Sequence, residues 1–288
     1  MHVPVPDVSN PDRPMPYGGG PVTEPAIQRQ GGDTATGRAE GLHFTVAQTA
    51  EQVIEAWRLV FDACYRAGLI AYNEHRLHFT RPAASARSAI ILGSIRGVAV
   101  STLTAVADDA DPPRDEGAES TGDDSPGRGL ALDHTFGPQL AALRRQGRRL
   151  MEVGLFADRR RHLSRTTGSL LQLMRYAFHF GITEGVTDFV IGVCPQHRRF
   201  YERFLGLEAI GEPLPRGGPS AAGRDGAACE PVLLMRGDIA DRLNRRPLHP
   251  ALAWFMQHPI PADRFELRFR FGAEAIAHTP IAAMLSRV

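Results

Sequence analysis

The sequence predicts a mixed α/β domain: a sheet whose strands alternate with amphipathic helices, followed by a helical C-terminal segment. Three observations carry this. Two-residue and 3.6-residue hydrophobic periods take turns along the chain. The stretch from Arg148 to Gly211 reads strand, arginine-rich loop, helix, strand, short helix, strand. Apolar residues make up 43% of 288, enough to build a full core.

Residues 1–41 hold clusters such as PDRPMPYGGGP, with little to bury, and read as a disordered tail. The domain begins at residue 42, where LHFTVAQ alternates as a strand. Thr49 and Gln52 have capping-box spacing, and Val53, Trp57, Val60 and Cys64 then recur at helical spacing until Gly68. Arg76–Phe79 is weakly patterned. SAIILGSI and GVAVSTLTAV, joined at Arg96–Gly97, read as a hairpin. The polar tract 108–129 lies between apolar segments and is expected to be a surface insertion. A short helix is expected over Phe136–Gly147, a strand over 149–157 and a helix over 166–181 with Leu170, Leu173, Met174 and Ala177 as its stripe. DFVIGV is a continuous apolar run, expected as a central strand. A short helix over Pro195–Leu205 and a strand over Glu208–Gly211 follow. A third polar tract spans 212–229, and PVLLMR is the last strand, so the domain is expected over 42–237. Five prolines cut residues 238–288 into short helical pieces expected to pack on it.

Composition excludes several chemistries. Net charge is +1, which gives no reason to expect nucleic acid or an anionic membrane as partner. All 33 basic residues are arginine, so lysine Schiff-base and P-loop chemistry are ruled out. Cys64, Cys194 and Cys229 are far apart, and His179 and His197 lack partners at ligand spacing, so no metal site is expected. No apolar run approaches a membrane span and no signal pattern opens the chain, so a cytoplasmic bacterial protein is the expectation.

Three blocks carry a family resemblance. AWRLVFDACYRAGLI, GLALDHTFGPQLAALRRQGRRLMEVGLFADRR and PQHRRFYERFLGLEAIG together span roughly residues 43–236. They resemble the long-chain N-acyl amino acid synthases, GNAT-fold acyltransferases related to the acyl-homoserine-lactone autoinducer synthases. The second block is the most discriminating, because ordinary acetyltransferases lack its L-R-x-x-G-R lead-in to E-V. The resemblance implies a GNAT (acyl-CoA N-acyltransferase-like) fold with a splayed strand pair in its mixed sheet. It further implies an acyl-phosphopantetheine thioester as donor substrate, with no permanently bound cofactor. An acyl carrier protein and a small amine or amino acid would be the partners. The chain departs from the pattern in places. Gly154-Leu155 stands where relatives have Ser, and Ser-Arg in autoinducer synthases, which points away from a homoserine-lactone product. Gly137-Pro138-Gln139-Leu140 replaces an acidic position, and Arg165-Thr-Thr-Gly168-Ser-Leu170 matches the phosphate loop of coenzyme A-dependent relatives except at its end.

Acyl transfer from a thioester to an amine needs a neutral amine, a polarised carbonyl, a held oxyanion and a protonated leaving thiolate. Gly154, Leu155 and Phe156 stand where a strand bulge would aim backbone N–H groups at the carbonyl oxygen; a glycine within a strand commonly marks one. Glu152 is the candidate general base, the competing reading being an ion pair with Arg148, Arg149 or Arg159. Tyr201 is the candidate acid for the sulfur, and equally a packed aromatic among Phe200, Phe204 and Leu205. Arg159, Arg160, Arg161 and Arg165, with Gly168, precede or open the 166–181 helix, where an anion is favoured. They would take the donor's phosphate, while Arg144, Arg145, Arg148 and Arg149 would face an acidic carrier protein. Met151, Phe156, Met174 and Phe178 fit either an acyl tunnel or the core. Two alternatives stay open: a coenzyme A-dependent acetyltransferase, and a non-catalytic module that binds an acyl chain or carrier.

Overall fold

The computed structural model describes residues 41–108, 129–160, 163–215, 231–244 and 248–286. The expected N-terminal tail, nearly all of the 108–129 insertion and most of the 212–229 tract lie outside these. Seven strands form one sheet: β1 (His43–Val46), β2 (Ser88–Ile95), β3 (Val98–Ala107), β4 (Leu150–Asp158), β5 (Asp188–Val193), β6 (Glu208–Pro215) and β7 (Pro231–Asp238), in the order β1-β2-β3-β4-β5-β7-β6. Every neighbouring pair is antiparallel except β4 and β5, which are parallel. The helices are α1 (Ala50–Arg66), α2 (Asp133–Arg145), α3 (Leu163–Thr183) and α4 (Arg198–Leu205), then five short ones. These are α5 (Ile239–Asn244), α6 (Pro250–Gln257), α7 (Asp263–Glu266), α8 (Ala273–Ile276) and α9 (Pro280–Leu285).

Local chemistry sets the boundaries. Thr49 Oγ1 accepts from the Gln52 N–H at 3.4 Å, and Gln52 Oε1 reaches one residue beyond the N-cap to accept from the Gln48 N–H at 2.7 Å, a variant of the capping box that starts α1. Arg96 and Gly97 both have positive φ (52° and 77°), the geometry of a two-residue hairpin turn matched to strand twist. Three elements differ from expectation by three residues or more, α2 first, which starts at Asp133 rather than Phe136. α3 starts at Leu163, three residues early, so Gly168 falls in its second turn. β6 runs on to Pro215 because a register shift between Ile210 and Leu214 lets the strand resume beside β7.

The sheet buries both faces. On one face Met151, Val153, Phe189 and Met235 pack with Phe178 of α3 and Phe255 of α6; on the other Leu150 and Leu234 pack with Trp57 of α1, Phe136 and Leu140 of α2 and Ile281 of α9. Strands buried on both faces lose polar alternation, which is why β5 reads as an unbroken apolar run. The short C-terminal helices contribute to both layers. Phe255 and Phe265 join the α3 face, and Ile281 joins the α1 face. The Arg268 guanidinium sits 5.1 Å from the centre of the Phe180 ring and donates to Glu184 Oε1 at 2.9 Å. The Phe269 N–H donates to Ala47 O at 2.7 Å, and Phe271 stacks on Trp57 at 5.6 Å.

Candidate active site

The parallel ladder between β4 and β5 is short. It pairs Leu150, Met151 and Glu152 with Asp188, Phe189 and Val190, and ends there. β4 continues to Asp158 along β3, and β5 to Val193 along β7. Beyond Glu152 and Val190 the facing backbone edges are therefore unpaired, and a slot opens between the strands.

A bulge lies on the same stretch of β4. Thr102 pairs with Ala157 and Thr104 with Gly154, so Leu103 faces both Leu155 and Phe156. Leu155 takes the left-handed conformation, φ 48°, unusual for a branched side chain and costing roughly 1–2 kcal/mol. The extra residue reverses the alternation: Leu155 turns to the α1 face and Phe156 to the α3 face.

Glu152 precedes the bulge, partly buried on the α1 face. Its Oε2 accepts from the Leu132 N–H at 3.0 Å, and the Ala131 N–H also reaches the carboxylate. Burial pushes its pKa up to about 7; the backbone donors oppose this and the nearby Asp133 charge adds to it. The competing ion-pair reading finds no support among the described residues. Arg148 is engaged by Asp188 (2.6 Å) and Asp238, and the Arg159 guanidinium donates to Ala99 O. Gly154 leaves space above the strand: a Cβ there would lie 3.8 Å from Glu152 Oε1.

The segment that supplies the Leu132 N–H also reaches across the slot. A Cβ at Gly192 of β5 would lie 2.8 Å from Leu132 Cδ2, so that side chain rests on the bare backbone of Gly192. Asp133 fixes the segment by accepting from the Leu130 N–H (2.7 Å) and from Arg144 Nη1 (2.7 Å), while Arg144 Nε also donates to Asp108 (2.5 Å). These contacts were hidden in the sequence, since a backbone donor leaves no side-chain signature.

Tyr201 on α4 packs against the α3-side core, with Phe200 edge-on at 5.2 Å. Burial raises its phenol pKa, and Cys194 at the end of β5 raises it further. The phenol is therefore held protonated beside the end of β5. Met151, Met174 and Phe178 are core, 2% exposed or less, and Phe156 packs against them. A small apolar cavity lies nearby, walled by Met174, Phe189, Leu205, Leu207, Leu252 and Phe255.

The arginines divide. Arg160 binds Asp158 through both Nε (3.0 Å) and Nη2 (2.6 Å), and Arg144 and Arg148 are ion-paired as described, so those charges are already met inside the domain. Arg161 lies outside the described residues, as does the side chain of Arg165. Gly168 is exposed, with open space where a Cβ would be. Among the described residues no group of three or more His, Cys, Asp or Glu has the arrangement of a metal site, and no helix is long and apolar enough to cross a membrane.

A mixed sheet that parts between two parallel strands, with a bulge at the parting, is the fold of the GNAT N-acyltransferases. The chain belongs to the FeeM N-acyl amino acid synthase family, whose model matches residues 55–222. Among solved structures, FeeM, an N-acyl amino acid synthase from uncultured soil microbes, is 18% identical. That match covers 69% of this chain and 91% of FeeM, with a TM-score of 0.51. BjaI, a CoA-dependent acyl-homoserine lactone synthase, is 14% identical over 79% of this chain and 99% of its own, at 0.46. The AHL synthase LasI is 13% identical over 69% and 91%, at 0.45. No curated protein sequence matches the chain.

Proposed function

We propose that this enzyme moves a fatty acyl group from an acyl-acyl carrier protein thioester to the amino group of an amino acid or a similar small amine. The observation that carries the reading is the slot beyond Glu152 and Val190, bordered by the bulge at Leu155–Phe156. The thioester lies in the slot with its carbonyl oxygen toward the backbone of Gly154, Leu155 and Phe156. Glu152 takes a proton from the amine, directly or through a water; a carboxyl with a pKa of about 7 is matched to that task at neutral pH. The amine nitrogen attacks the carbonyl carbon, the backbone N–H groups hold the oxyanion, and the C–S bond breaks as the amide forms. Tyr201 protonates the departing thiolate. Arg159, Arg161 and Arg165, which precede or open the helix in the sequence, hold the phosphate of the phosphopantetheine arm with Gly168; Arg160 supports them from its pair with Asp158.

The internal pairing of Arg144, Arg148 and Arg160 favours a second reading, with coenzyme A as donor, because it leaves fewer free charges for an acidic carrier. Thiol release from matched acyl-carrier and acyl-coenzyme A donors separates the two. Mass spectrometry of lipids from overproducing cells tests the reaction itself: a new amide-linked fatty acyl species supports it, and an unchanged lipid profile beside a folded protein counts against it.

A further inference from the structure

Thr104 on β3 is 1% exposed, and its Oγ1 has no hydrogen-bond partner among the described residues. A buried hydroxyl left unpaired costs about 1–3 kcal/mol and calls for an explanation. The other buried hydroxyls of the strand are satisfied: Thr102 Oγ1 donates to Ile91 O (2.9 Å), and Ser101 accepts from Ser169 (2.7 Å). Thr104 pairs with Gly154, and Val106 with Glu152. Directly opposed residues of antiparallel strands point to one face, so Thr104 and Glu152 are diagonal neighbours on the α1 side. The missing side chain at Gly154 leaves the space between them open, and Glu152 Oε1 borders it. The second carboxylate oxygen is occupied by the Leu132 N–H.

Resting on the acyltransferase reading above, we infer that Thr104 is a positioning residue for Glu152, its hydroxyl and Oε1 together holding the water that relays the proton. The amine gives one proton to this water and the water gives one to Glu152 Oε1, so the nitrogen's lone pair is freed as the carboxylate is neutralised. A buried water needs two to four polar partners; Thr104, Glu152 and the arriving amine supply three. The charged groups on the elements packed over this face leave Glu152 to this partnership. Asp133 of α2 is tied to Arg144, Glu55 of α1 accepts from the Ala99 N–H, and Asp62 of α1 pairs with Arg76.

The test compares Thr104→Val, Thr104→Ser and the double variant Thr104→Val with Gly154→Ser. Thr104→Val keeps the shape and removes the hydroxyl. It should lower kcat by about 10- to 100-fold with little change in KM, and move the acid limb of the pH profile upward. Thr104→Ser should restore most of the rate. The double variant, which offers a hydroxyl from the opposite strand, should recover part of it. A second readout needs no turnover: the infrared carboxyl signal that disappears in Glu152→Gln should titrate at higher pH in Thr104→Val than in the unaltered enzyme. If the unaltered protein transfers no acyl group, the acyltransferase reading fails, while the infrared comparison still decides the coupling. An unchanged rate or an unmoved titration in Thr104→Val overturns the inference, as does equal damage from valine and serine. Should Thr104→Val fail to fold, Thr104→Ala against Thr104→Ser in the infrared titration decides it in the same way.

Discussion

Leu132 makes two contacts on opposite sides of the slot: its N–H binds the Glu152 carboxylate on β4, and its side chain rests on Gly192 of β5. One residue thus sets the aim of the carboxylate and roofs one face of the gap. A Cβ at Gly192 would collide with Leu132 Cδ2 at 2.8 Å and Val232 Cγ1 at 3.0 Å. Gly192→Ala should displace Leu132 and lower kcat by about tenfold while costing roughly 1–3 kcal/mol in urea unfolding. Full activity in that variant would remove Leu132 from the site.

Glu152→Gln should reduce kcat by at least ~100-fold with the fold intact by circular dichroism. An active Gln variant would show that the base lies elsewhere.

The pH dependence has a definite sign. The Glu152 pKa is raised from 4.5 to about 7, so the folded state binds more protons than the unfolded chain between those values. Stability should therefore fall as pH rises across that window, by up to the order of 3 kcal/mol. Activity should rise across its upper end as the carboxylate forms. Glu152→Gln should flatten the stability curve, and Asp133→Asn should shift the activity limb to lower pH. Urea unfolding at a series of pH values checks the first and initial rates the second.

Leu155 tests the bulge. A β-branched residue is poorly tolerated at φ 48°. Leu155→Val should lower thermal stability by roughly 1–2 kcal/mol and reduce kcat. A variant as stable and as fast as the parent would mean the backbone there relaxes without consequence.

Asp188 is fully buried, with Arg148 Nε at 2.6 Å and Arg236 Nε at 2.5 Å; Asp238 accepts from Arg236 at 2.9 Å. This cluster clamps the closed end of the β4–β5 pair, opposite the slot. Asp188→Ala leaves two guanidinium groups without their shared carboxylate and should cost about 3–5 kcal/mol in equilibrium unfolding. A loss under ~1 kcal/mol would show that the clamp is dispensable.

Much of this was legible in the residues. The alternation in β1, the pairing of Thr49 with Gln52 at the start of α1 and the Arg96–Gly97 turn are local effects, and local rules locate them. The bulge was legible as well, because a glycine inside an apolar strand marks a site of irregular backbone. Less was visible where contacts are long-range. The arginines of 144–160 read as a basic surface, yet Arg144, Arg148 and Arg160 turn inward to aspartates, one of them forty residues away. Thr104 carries no signal of its own in the sequence. Its significance depends on Gly154 and Glu152 across the sheet, which only strand pairing brings together.

The contacts of Ala47 with Phe269 and of Trp57 with Phe271 join segments more than two hundred residues apart. A nascent polypeptide can make the hairpin and the first helix early, but Trp57 has no ring at Phe271 to stack on until about two hundred further residues have been made. Folding is thus dominated by contacts of large sequence separation, which are slow to close. During synthesis that face of the first helix waits without its C-terminal cover, the interval in which a chaperone would be most useful to it.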